Sequence, residues 1–155
     1  MSPKKILVLF LLVCCSITQA QNIKSQVTFR MLKTATSLME AQQFEAAEEY
    51  FKKVKTEDLN SEDYMKWSKI FTDKKEFSKA YEQLDKALRM DSADENVYFE
   101  YGKSLFNEQK YADAILKFNK AIELGILNVA AHIYAGICYF YMNEFDKGIE
   151  ILNKS

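Results

Sequence analysis

Residues 77–87 read FSKAYEQLDKA and residues 111–121 read YADAILKFNKA, and the two stretches lie thirty-four positions apart. Each opens on an aromatic residue (Phe77, Tyr111), sets an alanine three places on (Ala80, Ala114), and a large apolar residue four places further (Leu84, Phe118). Each then closes on a second alanine, Ala87 or Ala121. The same offset lays Gly102 over Gly136, Leu105 over Tyr139, Tyr111 over Phe145, Ala114 over Gly148 and Phe118 over Leu152. Carried backwards it reaches Ser68 and Phe71, and a first copy, one residue shorter, supplies Ala35, Leu38, Phe44, Ala47, Phe51 and Val54. A fixed period of this length marks a repeated supersecondary unit whose apolar face is buried by stacking on its neighbours.

The spacing within the unit is helical. Steps of four and three keep alanine, large apolar residue and alanine on one stripe, so small side chains admit a neighbouring backbone and the large one fills the gap. Gly102 and Gly136 play the small role in the preceding helix, where glycine costs about 1 kcal/mol relative to alanine and close crossing returns packing. Glycine is scarce, four in 155 residues, and the one proline is Pro3, which favours helices joined by short turns. The pattern predicts helix pairs at about 24–41 with 44–56, 61–73 with 76–90, 94–108 with 111–124, and 128–142 with 145–154. Ser92 three residues before Glu95 has the spacing of a capping box, and Asp73 and Asn143 stand where second helices would start.

A thirty-four-residue helix-turn-helix with this order of small, large and aromatic positions resembles the tetratricopeptide repeat. The third copy carries the resemblance best, with Tyr98 at the tryptophan place, Tyr101 and Gly102 at the leucine-glycine pair, Leu105 at the tyrosine place, then Ala114, Phe118 and Ala121. No copy keeps the closing proline, where Ser92 and Ile126 stand, and the first has Met31, Thr34 and Ala35 for the tryptophan-leucine-glycine set. The resemblance implies an all-α, right-handed superhelical solenoid of about four units, 28–60, 61–94, 95–128 and 129–155, the last incomplete. An incomplete last unit leaves an apolar face, for which the sequence offers two readings: the front part of a longer protein, or a face covered by a partner or a second copy.

The first twenty residues follow a different logic. Lys4 and Lys5 precede an apolar run from Ile6 to Ile17, and Thr18-Gln19-Ala20 ends on small residues before Gln21. This is the layout of a secretory signal peptide, and the run is shorter than the roughly 20 apolar residues of a spanning helix. Lipidation at Cys14 or Cys15 is the rival, which Val13 fits poorly because a small residue belongs there. Cleavage after Ala20 would leave Cys138 as the one cysteine, unable to form an intramolecular disulfide. The ending TQAQ resembles leaders of Bacteroidetes-type envelope proteins, which implies the periplasm or cell envelope of a Gram-negative bacterium.

Removing residues 1–20 leaves 19 basic and 22 acidic side chains, a mild, mixed charge without the basic footprint of a nucleic-acid binder. One His and one Cys, His132 and Cys138, six residues apart on one predicted helix, cannot converge with further groups into a nucleophile-base pair or zinc site. No phosphate-cradling glycine loop occurs. The expectation is a non-enzymatic chain without metal or cofactor that binds a protein or peptide.

First helices of the resembling family line a concave groove. Carried over residue by residue, that implies a surface containing Met65, Lys69, Phe99, Lys103, Phe106, Ile133, Ile137, Phe140 and Tyr141. Phe99, Phe106, Phe140 and Tyr141 would anchor a peptide or helix, and Lys69 and Lys103 would meet an acidic group on it. The alternative is an assembly element whose terminal faces oligomerise or join a larger envelope complex.

Overall fold

A computed structural model describes the backbone of residues 3–126 and 129–154; along the first helix it describes side chains from residue 25 onward, with 19, 21 and 23. Among the described residues there are eight α-helices and no strand: α1 (Pro3–Glu40), α2 (Phe44–Lys53), α3 (Ser61–Asp73), α4 (Phe77–Met90), α5 (Glu95–Asn107), α6 (Tyr111–Glu123), α7 (Ala130–Tyr141) and α8 (Phe145–Leu152). Thr56–Asp58 adds one 3-10 turn. This is an all-α repeat fold. The chain divides into two compact units, one ending at Asp58 and one beginning at Leu59.

In the first unit α1 pairs with α2, and Ala35, Ala47 and Phe51 are fully buried. Helix α1 starts at Pro3, well before the expected residue 24. Proline is at home in a first helical turn, and no glycine or second proline follows within the helix to stop its propagation. The expected roles of Cys14 and Cys15 lie outside the described side chains. Helix α2 ends at Lys53, three residues early, because the chain turns extended at Val54. No described helix is long and apolar enough to cross a membrane.

In the second unit three hairpins, α3/α4, α5/α6 and α7/α8, stack in chain order. The stripe expected from FSKAYEQLDKA and YADAILKFNKA is the core: Ala80, Leu84, Ala87, Ala114, Phe118 and Ala121 are all fully buried. Gly102 makes room for one of them, since a Cβ there would lie 2.5 Å from the Phe118 ring. At Gly136 the same atom would lie 2.8 Å from Leu152 Cγ. Hydroxyls tie the first helices of adjacent hairpins together. Ser61 Oγ donates to Asp94 Oδ2 at 3.0 Å, and the hydroxyls of Thr72 and Ser104 meet at 2.5 Å in a buried site.

The turns depart from the expected capping. Asp94, not Ser92, caps α5, accepting from the backbone N–H groups of Asn96 and Val97, while the Ser92 carbonyl accepts from the Tyr98 hydroxyl. Asn60 and Asp63 form the capping box, at the start of α3. Asp73 and Asn143 cap nothing: α4 and α8 begin without side-chain caps. The hairpin turns are instead fixed from the preceding helix, whose end passes through a left-handed residue at Gln42, Lys75, Gln109 or Asn143. At Lys75 the backbone N–H bonds Thr72 O at 3.0 Å and the next N–H, of Glu76, bonds Phe71 O at 2.8 Å. This double return closes a helix end using backbone alone and directs the chain straight into the next helix.

Candidate interaction site

Helices α3, α5 and α7 carry the expected surface residues, and their sequence sets which remain open. Lys69 sits one helical turn before Asp73 on α3, facing α5, where Glu100 and Lys103 are three residues apart on one face. Both lysines are already engaged there. Lys69 Nζ lies 3.4 Å from Glu100 Oε1, and Lys103 Nζ donates to the same carboxylate at 3.1 Å. Glu100 is nearly enclosed, its side chain 13% exposed. Lys103 also stands 5.6 Å from the Phe99 ring centroid, a cation over a π face. Partial desolvation pushes the Asp73 carboxyl up, with Lys103 and Lys69 opposing the shift and Glu100 adding to it. The two lysines expected to meet a partner's acid are thus satisfied within the chain by an acid absent from the expected set.

The aromatic anchors are likewise divided. Phe99 packs on Phe118 at 5.8 Å and meets Tyr134 edge-on at 5.9 Å. Phe106 meets Tyr134 at 5.3 Å and Tyr111 at 5.7 Å. Both are half-buried parts of the hairpin-to-hairpin packing around Leu105, Ala114 and Phe118. Met65 and Ile137 are half-buried as well. Tyr134, which the family positions did not select, packs against Phe99 and Phe106 on α5 and Phe118 on α6.

The last hairpin is different. Ile133, Phe140 and Tyr141 on α7, with Phe145 and Ile149 on α8, are 40–60% exposed and form the largest concentration of open apolar side chains on the described part of this unit. Phe140 and Phe145 lean together at 5.7 Å, and Tyr141 stacks on Tyr111 at 4.7 Å, so the patch is held in shape from behind. Gly148 allows this, because a Cβ there would lie 3.2 Å from Gly136 O and 3.3 Å from the Phe140 ring. The expected groove residues therefore separate into an engaged set, Lys69, Phe99, Lys103 and Phe106, and an open set, Ile133, Phe140 and Tyr141. Phe145 and Ile149 join the open set from the second helix, which position rules drawn from first helices do not reach.

Cys138 is fully buried, and burial pushes its thiol up to about 11, far from a nucleophile's range. His132 Nδ1 is shielded and bonds no described residue. Among the described residues no group of three or more His, Cys, Asp or Glu side chains could hold a metal ion.

The family model for anaphase-promoting complex, cyclosome, subunit 3 matches residues 73–155, more than half of the chain. The chain belongs to this family of tetratricopeptide-type repeats. Solved structures agree on the fold of this repeat protein. A crystal structure of MamA superposes with a TM-score of 0.74 at 19% identity, covering 82% of this chain and 75% of that one. YrrB, described as a TPR protein with an unusual peptide-binding site, gives 0.65 at 19% identity, with 77% and 62% covered. The Arabidopsis OM64 TPR domain gives 0.67 at 18%, with 76% and 98% covered. At these identities the likeness is one of fold. No curated protein matches the repeat chain.

Proposed function

We propose that this protein is a non-catalytic interaction module that docks a helical segment of another protein on the α7/α8 hairpin. The observation that carries this is the group of open apolar side chains Ile133, Phe140, Tyr141, Phe145 and Ile149 on one hairpin, exposed apolar surface of a kind that marks interaction sites. Two facts support a helix as the ligand. The patch is built from two helices whose neighbours in the array are themselves covered by helices, and aromatic anchors in a groove between helices suit an amphipathic helix. That YrrB is described as peptide-binding is consistent with this use of the fold.

Selection of binders from a helix-displaying library against the chain tests it. Phe145→Asp with Ile149→Asp is expected to weaken the selected binders by about tenfold or more, as loss of buried apolar anchors does, and Lys69→Glu with Lys103→Glu to weaken them far less. The reverse ranking would return the site to the middle of the groove and end the proposal.

We propose further that the chain is exported to the periplasm or cell envelope of a Gram-negative bacterium by the segment ending at Ala20. Expression of the full chain in such a host, followed by intact mass measurement, is expected to give a species beginning at Gln21 in the periplasmic fraction. An unprocessed cytoplasmic chain would refute export, and acylation at Cys14 or Cys15 would replace free release with lipid anchoring. The second reading, assembly through terminal faces, is favoured by exposed Ile23, Val27 and Phe29 on α1. Light scattering of the mature chain separates it, since a monomer at high concentration removes self-assembly.

A further inference from the structure

We propose that the open face of α7/α8 is specific for an amphipathic helix carrying two aromatic side chains seven residues apart, an inference that rests on α7/α8 being the docking surface. The template lies inside the molecule. Helix α7 sits on the α5/α6 hairpin by inserting Tyr134 among Phe99, Phe106 and Phe118, at centroid distances of 5.9, 5.3 and 5.5 Å. Seven residues on, Tyr141 stacks on Tyr111, nearly parallel at 6°. Two turns of helix separate these tyrosines, so one face presents both.

The thirty-four-residue period transfers this socket to the next hairpin. Phe99, Phe106 and Phe118 become Ile133, Phe140 and Leu152, and Tyr111 becomes Phe145. Each remains apolar, and Ile133, Phe140 and Phe145 stand open. The chemistry of the first insertion point follows from a comparison along the array. On the α3/α4 hairpin the place of Tyr134 is taken by Glu100, which Lys69 of that hairpin holds at 3.4 Å. The residue equivalent to Lys69 on α7 is Ile137. An acidic side chain inserted at α7/α8 would find no such cation and would lose its hydration uncompensated, whereas an aromatic ring would not. A second copy is a poor occupant for the same reason: in this register α1 offers Lys33 and Glu40 where α7 has Tyr134 and Tyr141. Seating it would bury an unpaired ammonium among isoleucine and phenylalanine.

The test uses the full chain and fluorescein-labelled lysine-, glutamate- and alanine-based helical peptides, read by anisotropy. A peptide with two tyrosines seven residues apart is expected to bind at least about tenfold more tightly than its double-alanine form or one with the tyrosines five apart. Ile137→Lys is expected to strengthen a peptide with glutamate at the first aromatic place, reproducing the Lys69–Glu100 pairing. Equal binding of the three peptides overturns the specificity, whatever the state of the substituted chain. Library binders that Phe145→Asp abolishes but that lack the aromatic pair also overturn it, while leaving α7/α8 as the docking face. A dimer of the chain that Phe145→Asp dissolves gives the face to a second copy and overturns it as well.

Discussion

Replacing Phe118 by alanine is expected to lower the stability of the unit beginning at Leu59 by about 3–5 kcal/mol, the cost of removing a fully enclosed aromatic ring and leaving a void. Phe118 is completely buried and meets two other helices at once: α5, at Gly102 and Phe99 on its own hairpin, and α7, at Tyr134 across the junction. Nothing nearby is free to collapse into its place, because Tyr134 is held by Phe106 and Phe99. A domain's whole margin is about 5–15 kcal/mol, so the variant should be partly unfolded near body temperature. Urea titration followed by circular dichroism measures this, and a loss below about 1 kcal/mol would show that the ring is not the keystone described. Gly102→Ala, overpacking the same contact, should cost up to about 2 kcal/mol after its gain in helix propensity. Phe118→Leu should relieve part of that cost, so the pair is non-additive.

Glu100→Lys is the second large effect. It replaces the carboxylate that Lys69 and Lys103 share by a third cation, on a side chain only 13% exposed. Loss of two charge-assisted contacts, with repulsion in their place, is expected to cost about 2–3 kcal/mol, moderated by the solvent that reaches Lys69. High salt should recover part of it, since the new repulsion is partly screened. Glu100→Met should cost less than the reversal, because it leaves the lysines free to turn to water. Denaturant titration at low and molar salt decides this; equal stability of the wild type and Glu100→Lys would mean the cluster is decorative.

The repeat was legible because it is written in side-chain volume. Ala80, Leu84 and Ala87, and their counterparts thirty-four residues on, must be small, large and small for helices to cross closely, and that constraint survives in a single sequence. The caps were less so. Residues 91–94, Asp-Ser-Ala-Asp, offer three capping side chains, and Asp94 prevails while also taking the hydroxyl of Ser61, a contact thirty-three residues away that no local motif encodes. The site was legible only in part for the same reason. Position rules treat each unit alike, yet whether Phe99 is open depends on Tyr134 in the following helix, and whether Lys69 is available depends on Glu100 opposite. Phe140 and Phe145 differ from Phe106 and Tyr111 less in kind than in what lies on top of them.

The contrast between Glu100 and Tyr134 has one more consequence. The same structural place is filled by a salt bridge where α5 meets the first of the three hairpins and by an aromatic ring where α7 meets the second. At this one place the two seams are unlike, one ionic and one oily, and there they respond to opposite conditions. Molar salt, which screens partly exposed charge and strengthens apolar contact, loosens the α3–α5 seam while tightening the α5–α7 seam. Because such arrays hold together through nearest-neighbour interfaces alone, salt acts on each seam separately.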